Sequence, residues 1–396
     1  MQAVVLAAGE GSRMRPLTET VPKPMLPVAD RPLCAHTADA AVDAGIDELV
    51  VVVGYGADAV RAYFDDTYRG VPVSTVVQGT QRGTADALRA AAARLDGPFV
   101  VLNGDNLYDS EGIAALVDAL PAVAAIEVDD PRHYGVLSTT PDGSRVTGIV
   151  EKPADPPSSL ANAGAYALPE RALEWLDVDE SDRGEYEITD VLARAIEGTA
   201  VTPITLSRWL DVGRPWELLA ANEWKIGGVE RRIDGEVHAN AELRGDVVVE
   251  SGATVDAGVT VEGPVIVRSG ADVGPNARVR GATLVGEGCR VGHGVEVKNS
   301  VLMSGAAVPH LSYVGDSLLG PGVNLGAGTQ VANLRHDGED VEQTVKGERV
   351  STGRRKYGVV AGPDAKTGIN TSLAPGVMLG AGARTAPGES VTRDRT

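Results

Sequence analysis

From residue 237 to residue 297 an aliphatic side chain returns at every sixth position. The rungs are 237, 243, 249, 255, 261, 267, 273, 279, 285, 291 and 297, all valine except Leu243. An amphipathic α-helix repeats every ~3.6 residues and cannot generate this period. A strict six-residue repeat marks a parallel β-helix wound in triangular coils. Three residues after most rungs stands Gly, Asn or Asp, as at Asn240, Asp246, Gly252, Gly258, Gly270 and Asn276. These residue types tolerate tight corners. The ladder extends to Met303, breaks near Pro309 and resumes at Leu319, Leu325 and Val331. A second break, roughly residues 334–359, holds charges that cannot enter a coil, and the last coils lie around Leu373 and Leu379.

Residues 1 to about 225 follow a different rule. Ala3–Leu6, Glu48–Val53, Val73–Val77 and Phe99–Leu102 are short, valine-rich runs. Helical patterns lie between them, at Leu33–Ala44 and Thr84–Leu95. Such alternation predicts an α/β fold whose mostly parallel sheet is covered on both faces. Ligands of such sheets bind at the carboxyl ends of the strands. Two domains are expected, 1–226 and 227–396, with the helical segment Pro215–Trp224 joining them.

The first strand runs into Leu6-Ala7-Ala8-Gly9-Glu10-Gly11-Ser12-Arg13-Met14-Arg15-Pro16, closed by Pro22-Lys23-Pro24. Gly9 and Gly11 let the backbone turn tightly and bring bare N–H groups near a ligand. Arg13, Arg15 and Lys23 set cations around that turn, a combination suited to a polyphosphate. Met14 stands where a dinucleotide fingerprint needs its third glycine, and no Gly-Lys-Ser/Thr of a P-loop follows.

The chain carries 55 acidic against 36 basic residues, a net charge of −19. That balance argues against nucleic acid as a partner. An acidic, lysine-poor surface is the habit of proteins from a high-salt cytoplasm, so a halophilic protein is expected. No apolar run reaches the length of a membrane span. Cys34 and Cys289 suggest neither a disulfide framework nor a metal knuckle. No basic and apolar leader precedes the first strand, so a cytoplasmic location is expected.

The string from Leu6 to Lys23 resembles the signature of the sugar-1-phosphate nucleotidylyltransferases, with Ser12 where that family usually has threonine. The resemblance extends over some 210 residues in family order. It implies a Rossmann-like nucleotidyltransferase domain in which Leu6, Ala8, Gly9 and Gly11 meet the nucleotide and Arg13 and Lys23 are catalytic. Gln78 and Gly83-Thr84-Ala85 resemble the segment holding the pyrimidine base. Gly135, Glu151, Lys152 and Asn162 resemble the sugar-phosphate pocket. Transfer of a nucleotidyl group needs positioning and charge neutralisation, and Mg²⁺ needs hard oxygen ligands. Asp105, in Asn103-Gly104-Asp105-Asn106, and Asp211, in Trp209-Leu210-Asp211-Val212-Gly213, match the family's two metal-binding acids. Expected substrates are UTP or dTTP and a sugar 1-phosphate.

The first ladder break, Pro309-His310-Leu311-Ser312-Tyr313-Val314-Gly315-Asp316, lies where no coil-packing rule calls for a histidine. With Asn324 and Asn333 it resembles the acetyltransferase site of the bifunctional enzymes that make UDP-N-acetylglucosamine. The resemblance implies a left-handed β-helix, acetyl-CoA as co-substrate and a homotrimer. It makes His310 the general base and Asn333 the oxyanion donor. Tyr313, Asn324, Arg280 and Lys298 would hold the sugar phosphate. The second break, with Lys346-Gly347-Glu348-Arg349 and Gly353-Arg354-Arg355-Lys356-Tyr357, is longer than in the bacterial enzymes. An archaeal subgroup with the same layout looks more similar. The alternative reading is a monofunctional glucose-1-phosphate uridylyl- or thymidylyltransferase whose β-helix is only structural or regulatory.

Overall fold

The computed structural model describes residues 1–181 and 183–395. They form two compact units. The first contains Met1–Glu10, Pro22–Leu26 and Pro32–Asp211, and the second contains Gly11–Val21, Pro27–Arg31 and Val212–Thr396.

The first unit is a layered α/β structure. Its sheet centres on Gln2–Ala7, flanked in parallel by Glu48–Val53 and Phe99–Asn103. Val71–Val77 extends the parallel part beyond Glu48–Val53. These strands are near-continuous apolar runs because helices cover both faces, and Ala3, Val4 and Val5 are fully buried. Antiparallel strands complete the other edge: Leu160–Leu168 pairs with Phe99–Asn103, and Gly135–Thr139 with Val146–Glu151. The helices Leu33–Asp43 and Thr84–Ala91 lie where the sequence places them.

The second unit is the parallel β-helix. Its strands stack into three sheets of eight, five and eight strands. The rungs from Val249 to Val297 point inward and are fully buried, joined in one core with Leu302, Val308, Val314, Leu319 and Leu325.

The ladder slips before Pro309, and this corrects the sequence reading. Arg278 pairs with Glu296, eighteen positions on, but Glu296 pairs with Tyr313, seventeen on. Val285 is therefore matched by Leu302, which enters the core in place of Met303. The shortened corners are Asn299 and Asp316, both at positive φ (46° and 53°). Thr283, Ser300 and Ser317 line the same corner in successive coils. The Ser300 hydroxyl donates to Lys298 O at 2.8 Å, and that of Ser317 to Gly315 O at 2.8 Å. The Ser300 hydroxyl adds a second donor to a carbonyl that already accepts from Asp316 N at 2.9 Å, and both bonds keep the hydroxyls of this buried corner paired.

The second break contains an antiparallel hairpin, Glu342–Val345 with Glu348–Ser351. It leaves the ladder undisturbed, because Leu318 pairs with Val360 and Leu319 with Ala361 across the excursion. The helix Pro215–Ile226 packs within the second unit. Its Asn222, fully buried, donates to Ala282 O at 2.9 Å and accepts from Ala29 N at 3.0 Å. A boundary drawn at residue 226 falls at the end of this helix, whereas the first compact unit ends at Asp211. Among the described residues no helix is long and apolar enough to cross a membrane.

Candidate active sites

In the first unit the central strands end side by side. Leu6 is paired with Val52 and Asn103, and Gly104 N donates to Leu6 O at 2.9 Å. A Cβ on Gly104 would stand 2.8 Å from Leu6 O, so glycine is what lets the turn carrying Asp105 approach the first strand. The strand Trp209–Asp211 pairs antiparallel with Asn106–Tyr108 and sets Asp211 opposite Asn106. The two acids thus occupy neighbouring positions at one end of a two-stranded ribbon. The Lys23 ammonium, with its side chain 7% exposed, lies 2.5 Å from Asp105 Oδ2. A lysine this buried needs a counter-charge, and Asp105 provides it.

Among the described residues no three or more His, Cys, Asp or Glu side chains gather as a metal cluster. Two carboxylates on a ribbon suit Mg²⁺, which takes one or two and completes its shell with water and substrate phosphate. They do not suit a structural zinc centre.

The glycine turn is held from outside. Gln81 Nε2 donates to Ala8 O at 2.6 Å and Gln81 Oε1 accepts from Glu10 N at 3.3 Å, straddling Gly9. Nothing lies within 4 Å of a Cβ built on Gly9, so packing does not explain glycine there. Gly11 and Arg13 belong to the second unit. There Gly11 adopts φ 71°, its carbonyl accepts from the Thr18 hydroxyl at 3.0 Å, and the exposed Arg13 guanidinium lies against Gly213.

Three residues expected to face substrate use their side chains within the fold. Gln78 Nε2 donates to Gly83 O (3.1 Å) and Asp86 Oδ2 (2.9 Å). The Thr84 hydroxyl accepts from Ile188 N at 2.9 Å and so caps the helix Ile188–Gly198. Asn162 donates to the Tyr166 hydroxyl at 2.7 Å and accepts from Gly164 N at 3.1 Å, where its strand changes register. Gly83 itself is needed for shape: its φ is 109° and a Cβ would stand 2.3 Å from Tyr186 O.

Gly135, Glu151 and Asn162 do converge. Gly135 pairs with Glu151, and its hydrogen faces a Glu151 oxygen that a Cβ would approach to 2.9 Å. Asn162 Cβ would lie 3.5 Å from the same point. Glu151 Oε1 also meets Lys152 Nζ at 3.5 Å and Arg183 at 3.3 Å. Arg183, which joins Glu151 to Glu187, carried no signal in the sequence. Burial, then Glu187 and Glu151, raise the carboxyl of nearby Asp190 above its ordinary value.

On the β-helix, Arg280 and Lys298 stack in register in consecutive coils. Both are paired, Arg280 with Glu296 at 2.7 Å and Lys298 with Asp316 at 2.9 Å. Tyr313 stacks on Glu296 in the next coil. Asn333 Nδ2 donates to the Tyr313 hydroxyl at 3.2 Å and to Asp316 Oδ2. Both N–H groups of that amide are therefore committed, and in this arrangement the expected oxyanion role does not fall to the Asn333 side chain. The Tyr313 oxygen accepts from Asn333 and keeps its own proton to donate. His310 is exposed at the end of the strand Ala307–His310. Its carbonyl is anchored by Gly328 N (3.0 Å) and the Ser312 hydroxyl (2.8 Å). Asn324, also exposed, bridges Ala307 in one coil and Lys366 in the next. An open groove beside His310 is lined by Leu311, Ala327, Gly328, Gln330, Ile369 and Asn370.

Residues 2–225 match the family model described as nucleotidyl transferase, and residues 261–358 match the GMPPB C-terminal domain. A bifunctional sugar-1-phosphate nucleotidylyltransferase/acetyltransferase of Sulfurisphaera tokodaii is 37% identical, over all of this chain and 98% of that protein. The chain belongs to this bifunctional nucleotidylyltransferase/acetyltransferase family. A bifunctional protein GlmU of Methanococcus vannielii is 38% identical over 96% of this chain and 92% of the relative. A crystal structure of UDP-glucose pyrophosphorylase with UDP-glucose aligns at a TM-score of 0.52 and 26% identity, covering 56% of this chain and 96% of that one. The relatives' names join two transferase activities in one chain, and the nucleotidyl transferase model covers the residues of the α/β unit.

Proposed function

We propose that the chain carries out two consecutive steps of UDP-N-acetylglucosamine synthesis. In the first, the amine of glucosamine 1-phosphate attacks the thioester carbonyl of acetyl-CoA. A C–N bond forms, the C–S bond breaks and CoA leaves as the thiol. His310 takes the amine proton, and the Tyr313 hydroxyl donates to the developing oxyanion. Arg280, Lys298 and Asn324 hold the sugar phosphate, and the groove beside Ala327 and Ile369 takes the acyl carrier. In the second step, a phosphate oxygen of N-acetylglucosamine 1-phosphate attacks the α-phosphorus of UTP and pyrophosphate leaves. Arg13 and Lys23 neutralise phosphate charge, while Leu6, Ala8, Gly9, Gly11, Gln78, Gly83 and Thr84 shape the nucleotide site. Gly135, Glu151, Lys152 and Asn162 shape the sugar site. Asp105 and Asp211 are suited to hold Mg²⁺, which when bound supplies neutralisation of the developing phosphate charge. A homotrimer, with acyl sites between neighbouring copies, is the assembly that goes with this reading, and a salty cytoplasm its setting.

The observation that supports two activities over one is the polar cluster of Lys298, Tyr313, Asp316 and Asn333. A β-helix serving as scaffold has no use for it. The test follows CoA release from acetyl-CoA with glucosamine 1-phosphate, and pyrophosphate release from UTP with N-acetylglucosamine 1-phosphate. His310→Ala should abolish the first and spare the second. Pyrophosphate release with no CoA release from the unaltered chain would sink the acetyl-transfer assignment.

A further inference from the structure

The β-helix site is organised around a residue to which neither the repeat nor the resemblance gives a role. Asp316 is 2% exposed and sits at a shortened corner with φ 53°. Its carboxylate receives Lys298 Nζ on both oxygens (3.1 and 2.9 Å), Asn299 Nδ2 at 2.9 Å, and Asn333 Nδ2. Its backbone is fixed too, with N donating to Lys298 O at 2.9 Å and O accepting from Gly358 N at 2.8 Å. Lys298 and Asn333 are seventeen or more residues from Asp316 in sequence, and they reach it from the coils on either side.

We propose that Asp316 is the positioning residue of the acetyl-transfer site. One buried carboxylate fixes where the Lys298 ammonium stands and which way the Asn333 amide points. Through Asn333 it also fixes the Tyr313 hydroxyl. An amide can present either its oxygen or its nitrogen to a neighbour. Asp316 accepts only, so it selects the orientation in which Asn333 donates to Tyr313. Tyr313 is then an acceptor on that side and a donor toward substrate. At this left-handed corner the carboxylate meets Lys298, Asn299 and Asn333 together. The Asn299 corner, one coil earlier, is shortened in the same way and supplies a further donor. A buried carboxylate facing three donors is stable only while all remain paired.

This inference rests on the acetyl-transfer reading, and the experiment separates the two. Asp316→Asn keeps the size of the side chain but turns one oxygen into a donor facing other donors. In the full chain, kcat/KM for glucosamine 1-phosphate should fall roughly a hundredfold, with KM for the sugar phosphate raised. KM for acetyl-CoA and the rate of pyrophosphate release should stay within twofold of the parent. A residue that served only stability would not divide the two KM values. The paired variant Lys298→Met/Asp316→Leu removes the ion pair as a unit, a change buried pairs often tolerate. It should fold, keep uridylyl transfer and lack acetyl transfer. Wild-type KM and kcat in Asp316→Asn, or acetyl transfer restored in the paired variant, would overturn the proposal. Full acetyl transfer in His310→Ala would instead overturn the site reading on which it rests.

Discussion

The Lys23 ammonium lies 2.5 Å from the Asp105 carboxylate, at the end of the ribbon that carries Asp211. A cation approaching Asp105 therefore meets a site already holding a positive charge. Phosphate oxygens arriving with the metal give Lys23 a second anion to turn to, so nucleotide and metal should bind together better than either alone. In Lys23→Ala, Mg²⁺ affinity without nucleotide should rise by calorimetry, while pyrophosphate release falls about a hundredfold or more. Acetyl transfer should be unchanged. Weaker metal binding in that variant would contradict the competition.

Gly135 admits no side chain without moving Glu151, because a Cβ would stand 2.9 Å from the carboxylate oxygen. The carboxylate is the flexible end of its side chain, so the strand pair should survive. Gly135→Ala is expected to raise KM for the sugar phosphate about tenfold in the uridylyl reaction, with a thermal midpoint within a few degrees of the parent. An unchanged KM would remove Glu151 from the sugar pocket.

Asp190 has its carboxyl raised by burial first and then by the charges of Glu187 and Glu151. The folded state therefore binds the proton more tightly than the unfolded chain. Such a group lowers stability as pH rises from the unfolded value of 3.8 through the raised one. Asp190→Asn, fixed in the neutral form, should be more stable than the parent at pH 7. The difference should shrink as pH falls toward 3.8. Denaturant midpoints at several pH values would show it, and a destabilised variant at pH 7 would refute the sign.

The Tyr357 hydroxyl, fully buried, donates to Gln343 Oε1 at 2.8 Å, while Gln343 Nε2 is buried with no partner among the described residues. Removing the hydroxyl leaves both ends of that amide unsatisfied. Tyr357→Phe should cost about 1–3 kcal/mol in unfolding of the β-helix unit. A loss below a few tenths would mean that water reaches Gln343.

A net charge of −19 opposes compaction through self-repulsion, which salt screens. The thermal midpoint should climb steadily with KCl from low ionic strength to about 1 M. A flat response would remove the halophilic expectation.

The core of each unit was legible because its signal is periodic. Valine at every sixth position can only line a coil, and valine-rich runs separated by helical patterns can only stack in parallel. The slip after Val297 was hidden because Leu302 and Met303 are both apolar. The corner at Asn299, one residue short, decides between them. Among the site residues, the family resemblance brought out Asp105, Asp211, Glu151 and Tyr313. It could not say what Gln78, Thr84 and Asn162 do with their side chains. An amide or a hydroxyl that suits a ligand also suits a turn or a helix end. Asp316 was read as part of a broken coil, because an aspartate after glycine looks like any turn residue until the coils on both sides are stacked.

The pairing of Leu318 with Val360 and of Leu319 with Ala361 carries the ladder past the hairpin, while Gln343 and Tyr357 at its base stay buried. The coils close over the excursion. That corner is a cassette. Its exposed tip, residues 346–349, can change length and charge while the scaffold keeps its register. It is the place at which to graft new acceptor preferences onto this enzyme without redesigning its frame.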